Sequence, residues 1–216
     1  MNNEDEKHPF DPEDHPFDPF YPKKAKWLFL GTFPPKKEKW ANNEEFNFYY
    51  PNFNNDMWRI LALVFNKEKD HFEDVTQKKS FDKEKIKVFL EEKGIAMYNI
   101  AKKVVRLKDN ASDKDLRITE YIKIKEIIEN NKDLEYIVAT GTKAYEKLIE
   151  QIVEIDQNFK KKLPIIGLWE EFIFKNRTIK FYRMPSSSKA YPKPLEKKVE
   201  FYKDMFSNND EKSPHQ

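Results

Sequence analysis

Short apolar runs that stop abruptly at a small or polar residue constrain this chain most. Trp27-Leu28-Phe29-Leu30 ends at Gly31, Ile95–Ile100 contains Asn99, and Tyr136-Ile137-Val138-Ala139 ends at Thr140-Gly141. Each run is strand-length, too short for a core helix. Helical patterns separate them, at about Asn55–Phe65, Asp82–Glu92, Ile118–Glu129, Thr142–Ile155 and Pro194–Phe206. Trp169–Phe174 and Thr178–Arg183 read as a hairpin or strand pair. Alternation of this kind predicts a three-layer α/β/α fold around a central, mostly parallel sheet. In such sheets, sites lie beyond the carboxyl ends of the strands. That rule selects the loops Gly31–Pro35, Asn99–Arg106, Thr140–Lys143 and Pro185–Tyr191, and places Gly31, Asn99 and Met184 at one end of the sheet.

The chain has 216 residues, room for one ordinary domain with tails. Residues 1–19 form an acidic N-terminal arm, 20–207 the domain and 208–216 a polar tail. The segment 1–22 repeats a unit, His8-Pro9-Phe10-Asp11-Pro12 and then His15-Pro16-Phe17-Asp18-Pro19. So much proline is expected to prevent helix and ladder pairing and leave a mobile or draped arm. Phe10, Phe17 and Phe20 are expected to staple it to the body. Seven acidic residues against Lys7 make residues 1–19 strongly negative, so the body from 20 to 207 is +9 by difference from a total of +2. A body of that charge suits a polyanion, although on charge alone lysine enrichment for solubility is the favoured explanation.

The chain contains no cysteine, which excludes disulfides, thiol nucleophiles and iron–sulfur clusters. Of the four histidines, His8, His15 and His215 sit in the tails and His71 in a polar stretch, an arrangement that argues against a zinc site or a His-based triad. No cofactor and no metal are therefore expected. No apolar run approaches bilayer length and the N-terminus is acidic, so the expectation is a cytoplasmic, monomeric protein with no membrane partner.

Three motifs carry the chemistry: Gly31-Thr32-Phe33-Pro34-Pro35; Tyr49-Tyr50 leading to Asn55-Asp56-Met57-Trp58; and Met184-Pro185-Ser186-Ser187-Ser188-Lys189-Ala190-Tyr191. Together, in this order and at strand ends, they resemble the uracil-DNA glycosylase superfamily. The likeness is nearest to the branch with a Gly-Ser-Phe-Pro-type first motif, which includes hypoxanthine-DNA glycosylases. It spans roughly residues 20–207. It implies a metal-independent enzyme that flips a damaged base out of DNA and hydrolyses its bond to the sugar.

The resemblance assigns roles residue by residue. Tyr50 is the ring expected to stack on the base, while Phe48 and Tyr49 read as packing. Phe33 and Met184 stand in the base-binding motifs where other branches carry an acidic or amide residue and a His, so two familiar catalytic groups are missing. Asn55 is the candidate for positioning water, with Asp56 as its rival. This stretch also suits a helix start, with Asn54 or Asn55 as a cap and Asp56 as a charge in the first turn. Asn99 offers one donor and one acceptor in a plane, which matches the lactam edge of uracil or hypoxanthine. Pro34, Ser186, Ser187, Ser188, Lys189, Tyr191 and Lys143 are expected to contact DNA, Tyr191 as a wedge. Lys36, Lys37, Lys39, Lys193, Lys197 and Lys198 would extend the basic rim, and Ser112 and Asp113 would cap the next helix. Two rival readings remain: a homologue that binds damaged or single-stranded DNA without cutting, and an unrelated α/β module whose arm docks a protein.

Overall fold

The computed structural model describes residues 11–40, 46–108, 113–159 and 165–207. In chain order the elements are β1 (Glu13–Asp14), β2 (Trp27–Gly31), α1 (Met57–Val64), α2 (Lys83–Lys93), β3 (Ile95–Asn99), β4 (Ala101–Arg106), β5 (Leu116–Tyr121), α3 (Ile124–Asn130), β6 (Tyr136–Ala139), α4 (Thr142–Ile155), β7 (Trp169–Phe174), β8 (Arg177–Arg183) and α5 (Leu195–Ser207).

Five strands form one sheet in the order β3-β2-β6-β8-β7. The β2–β3, β2–β6 and β6–β8 ladders are parallel, and β7 closes the edge as an antiparallel hairpin with β8. All five residues of β2 are buried, as a strand covered on both faces requires. Period-two alternation sends its side chains into two cores. Trp27 and Phe29 join the core with α1, α2 and α5, whereas Leu28 and Leu30 join the one with α3 and α4. Helices thus cover both faces of this sheet.

Local chemistry explains where the helices begin and end. Asp82 caps α2 by accepting from the Lys85 N–H at 2.9 Å. Gly94 ends α2 in the left-handed region, φ 62°, and a Cβ there would lie 2.6 Å from the Lys24 carbonyl oxygen. The buried residues Ala144, Tyr145, Leu148, Ile149 and Ile152 form a single stripe along α4. The stripe of α5 (Lys198, Val199, Tyr202, Met205) includes a lysine.

A second, three-stranded antiparallel sheet, β1-β4-β5, departs from the sequence reading in three ways. The stretch 101–106, read as part of a loop, is strand β4. The expected helix at 118–129 begins only at Ile124, after β5. Ile118, Tyr121 and Ile122 fit a helical spacing as well as a strand, and pairing with β4 decides between them. The arm also joins a ladder, with Glu13 opposite Val104 and Asp14 opposite Lys103. Both paired residues lie between prolines, so their own N–H groups remain available. Phe17 is buried and Phe20 bridges to Met97, while Phe10 lies outside the described residues.

Candidate functional site

The parallel register aligns the strand ends that build the site. Gly31 lies opposite Asn99, and Leu30 opposite both Tyr98 and Ala139. A cleft of about 350 Å³ opens beyond them. Its walls come from the β2 exit (Gly31–Pro35), the approach to α1 (Tyr49–Asn52, Asn54, Asn55), Asn99, Thr140 and the loop Ser186–Ala190. Phe17 from the arm and Asp113 from the β4–β5 connection complete it. Phe33, Pro34, Tyr50, Asn55, Asn99, Ser186, Ser187, Ser188 and Lys189 thus converge on one space.

Gly31 keeps the floor open. A Cβ there would lie 3.4 Å from the end of the Asn99 amide and 3.5 Å from the Tyr50 hydroxyl. The hydrogen-bond network orients that amide. Oδ1 accepts from the Phe33 N–H and Nδ2 donates to the Tyr98 carbonyl, each at 3.0 Å. An amide has two N–H groups and two oxygen lone pairs, so the two backbone bonds do not exhaust it, and the His15 side chain from the arm also interacts with it. Tyr50 sits at φ 50°, an unusual value for a bulky residue. Its hydroxyl is 2.8 Å from Thr140 Oγ1, and its ring meets Trp58 edge to face. Burial pushes the Tyr50 pKa well up, so the phenol stays neutral. Phe48 and Tyr49 are buried in the core.

Asn55 lines the cleft, and its Oδ1 accepts from the N–H of Met57, the first residue of α1, at 2.9 Å; the N-cap itself is Asp56, whose side chain makes no capping bond. Arg59 holds this loop from behind. It donates to the carbonyls of Phe53 (2.7 Å) and Asn55 (3.2 Å), and pairs with Glu73 at 2.7 Å.

Four expected site residues lie elsewhere. Asp56 is turned away from the cleft, and its Oδ2 accepts from Lys198 Nζ at 2.8 Å in a buried pair. Lys198 therefore belongs to the interior and not to the basic rim. It also donates to the Ser188 carbonyl at 2.8 Å, and the Asp56 N–H donates to the Ser187 carbonyl at 2.9 Å. Met184 continues the alternation of β8 and, like Tyr182, packs into the core. Lys143 donates to the carbonyls of Asp113 and Leu116, which commits its ammonium to a loop. Tyr191 lies outside the cleft lining, its N–H donating to the Ser188 carbonyl at 3.1 Å. The serine loop is bonded within itself, with Ser186 Oγ accepting from the Ser188 N–H and Ser188 Oγ from the Ala190 N–H, each at 3.2 Å.

Asp113 is the residue the sequence did not reveal. It opens a 3-10 turn, Asp113–Asp115, rather than capping a helix, and Ser112 lies outside the described residues. Thr32 Oγ1 donates to Asp113 Oδ2 at 2.7 Å. Burial raises its carboxyl pKa, against the opposing pull of the Thr32 hydroxyl and of the Lys143 and Arg106 charges. No local pattern marks it, because it is an Asp in a polar turn.

The arm is also part of the site's support. Both Glu13 carboxylate oxygens lie 3.0 Å from Arg106 Nε, and Arg106 Nη2 donates to the Pro34 carbonyl at 2.7 Å. His15, expected in a loose tail, packs against Tyr49, Phe33 and Tyr98. Burial pushes its pKa down, which favours the neutral ring. Among the described residues no three His, Cys, Asp or Glu side chains cluster as metal ligands. Nor is any helix among them long and apolar enough to cross a membrane.

The chain is similar in fold to a Methanosarcina acetivorans protein, described as a putative uracil DNA glycosylase, whose structure was solved in solution by NMR. The TM-score is 0.55 at 18% identity, over 88% of this chain and 96% of that one. No family model and no curated protein matches the sequence.

Proposed function

We propose that this chain is a DNA glycosylase that hydrolyses the N-glycosidic bond of a flipped deaminated base, uracil or hypoxanthine. One observation carries the reading: Tyr50, Asn99, Asn55 and the Ser186–Ser188 loop, far apart in sequence, face one cleft at the carboxyl ends of β2, β3, β6 and β8. The fold likeness to the archaeal protein supports it. A cleft of about 350 Å³ falls at the small end of the usual range for ligand sites, roughly 300–1,000 Å³.

In this reading the extruded base stacks against Tyr50, an interaction worth about 1–3 kcal/mol per base. The Asn99 amide meets the lactam edge. The backbone bonds to Phe33 and Tyr98 hold the amide in one orientation, and cytosine presents the reverse pattern. Asn55 orients water, the serine loop and Lys189 bind neighbouring phosphates, and the basic body holds the duplex. Early cleavage of the glycosidic bond leaves an oxocarbenium-like sugar, which oriented water captures.

The test is a panel of oligonucleotides bearing uracil, hypoxanthine, xanthine or mismatched thymine, followed by alkali cleavage. Strand breaks at uracil or hypoxanthine are the expected result, and an uncut panel rejects the enzyme. A second reading, binding of an extruded base without cutting, draws on Phe33 and Met184, two positions where the resembled family supplies polar groups. Tight binding to an abasic duplex with an uncut panel would select it.

A further inference from the structure

The glycosylase reading leaves one group without a part. Asp113 is the one acidic residue among the described residues that line the cleft. Asn55 cannot accept a proton as an amide, and the carboxylate of Asp56 is turned away onto Lys198. Resting on that reading, we propose that the Asp113 carboxylate is a catalytic residue: it stabilises positive charge developing on the sugar and takes a proton from the attacking water.

Three features fit Asp113 for this work. Thr32, in the loop that follows β2, holds one oxygen at 2.7 Å and so orients the carboxylate in the cleft. The neighbouring cations already have other partners: Lys143 donates to backbone carbonyls, and Arg106 to Glu13 and the Pro34 carbonyl. They attract the charge of Asp113 through space without capping it. The carboxyl is also partly withdrawn from water, and there a fixed anion acts more strongly on a nearby developing cation than in bulk water. In the step itself, the N-glycosidic bond breaks and its electron pair leaves on the base. The water oxygen bonds to C1′ and its proton passes to Asp113. Asp113 then gives that proton to the departed base, so one water is consumed and the carboxylate is restored.

Asp113→Asn keeps the shape and removes the charge. In single-turnover cleavage of a uracil-containing duplex it is expected to slow base release by about 100-fold or more, the scale of general acid–base catalysis. Binding to a duplex with a neutral tetrahydrofuran abasic nucleotide should be essentially unchanged. Parental protein should prefer a duplex with a cationic pyrrolidine abasic nucleotide over the neutral one, and Asp113→Asn should lose that preference. Thr32→Val removes a hydrogen bond to the carboxylate, so the acidic limb of the parental rate profile should move to higher pH. Cleavage by Asp113→Asn at the parental rate overturns the proposal and leaves the glycosylase reading intact. Equal binding of the two analogues by the parental protein also overturns it. A parental protein that cuts nothing, yet shows a cation preference that Asp113→Asn abolishes, keeps the charge role, overturns the proton transfer and rejects the glycosylase.

Discussion

Lys198 Nζ lies 2.8 Å from Asp56 Oδ2, with side-chain exposures of 0% and 7%, and the same ammonium donates to the Ser188 carbonyl. This ion pair joins α5 to the start of α1 and to the serine loop. Removing one partner leaves an uncompensated buried charge, which costs about 3–5 kcal/mol. Asp56→Ala and Lys198→Met should therefore each lower stability by roughly that amount in urea denaturation. The double replacement Asp56→Leu/Lys198→Met should recover much of the loss. A single Asp56→Ala that folds with full stability would show that the pair carries no structural load.

Asn55 serves two ends that substitution can separate. Asn55→Ala should cost about 1 kcal/mol through the lost hydrogen bond to the Met57 N–H at the start of α1, and should slow base release as well. Asn55→Asp retains the acceptor and should keep stability near parental. Chemical denaturation beside single-turnover cleavage distinguishes the two. Parental cleavage by Asn55→Ala would place the water elsewhere.

Gly31→Ala tests whether the floor is kept clear for a ligand. The backbone there is not in the left-handed region, and the added Cβ would meet Asn99 and Tyr50 at ordinary contact distances. Melting temperature should change little. Base-dependent binding and cleavage should fall, because a methyl group now occupies the junction of the stacking ring and the reading amide. Unchanged kinetics would mean that the base does not reach this depth.

The arm should act through Arg106. Glu13→Ala frees the Arg106 guanidinium, which still donates to the Pro34 carbonyl, and should loosen the loop after β2. Hydrogen exchange at Thr32 and Phe33 is expected to rise. Deleting residues 1–19 removes seven acidic side chains and β1, so nonspecific DNA affinity should rise at low salt while stability falls. Weaker DNA binding by the truncated protein would make the arm part of the DNA surface.

Asp113 predicts a pH dependence of stability. Its pKa in the fold is raised by burial, so the fold favours the protonated form, and stability declines as pH rises through that pKa. Asp113→Asn should therefore melt above the parental protein near neutrality. The gap should close as pH falls below the ordinary carboxylate range. A gap independent of pH would contradict this.

The sequence by itself determined the elements with strong local signals. The buried run Trp27–Leu30, the capped helix after Asp82 and the amphipathic α4 follow from periodicity and end chemistry acting within a few residues. The motifs also marked most of the cleft wall, because strand ends fix where loops emerge. Tertiary structure decided what lay beyond that range. Ile118, Tyr121 and Ile122 suited a helix or a strand until β4 supplied ladder partners. Asp56 read as a rival to Asn55 until Lys198 arrived from 142 residues away. Glu13 and Arg106 meet across 93 residues, and Thr32 and Asp113 across 81. Local propensity contains no information about such meetings. They arise when burial of two apolar cores brings distant polar groups together and obliges each to find a partner.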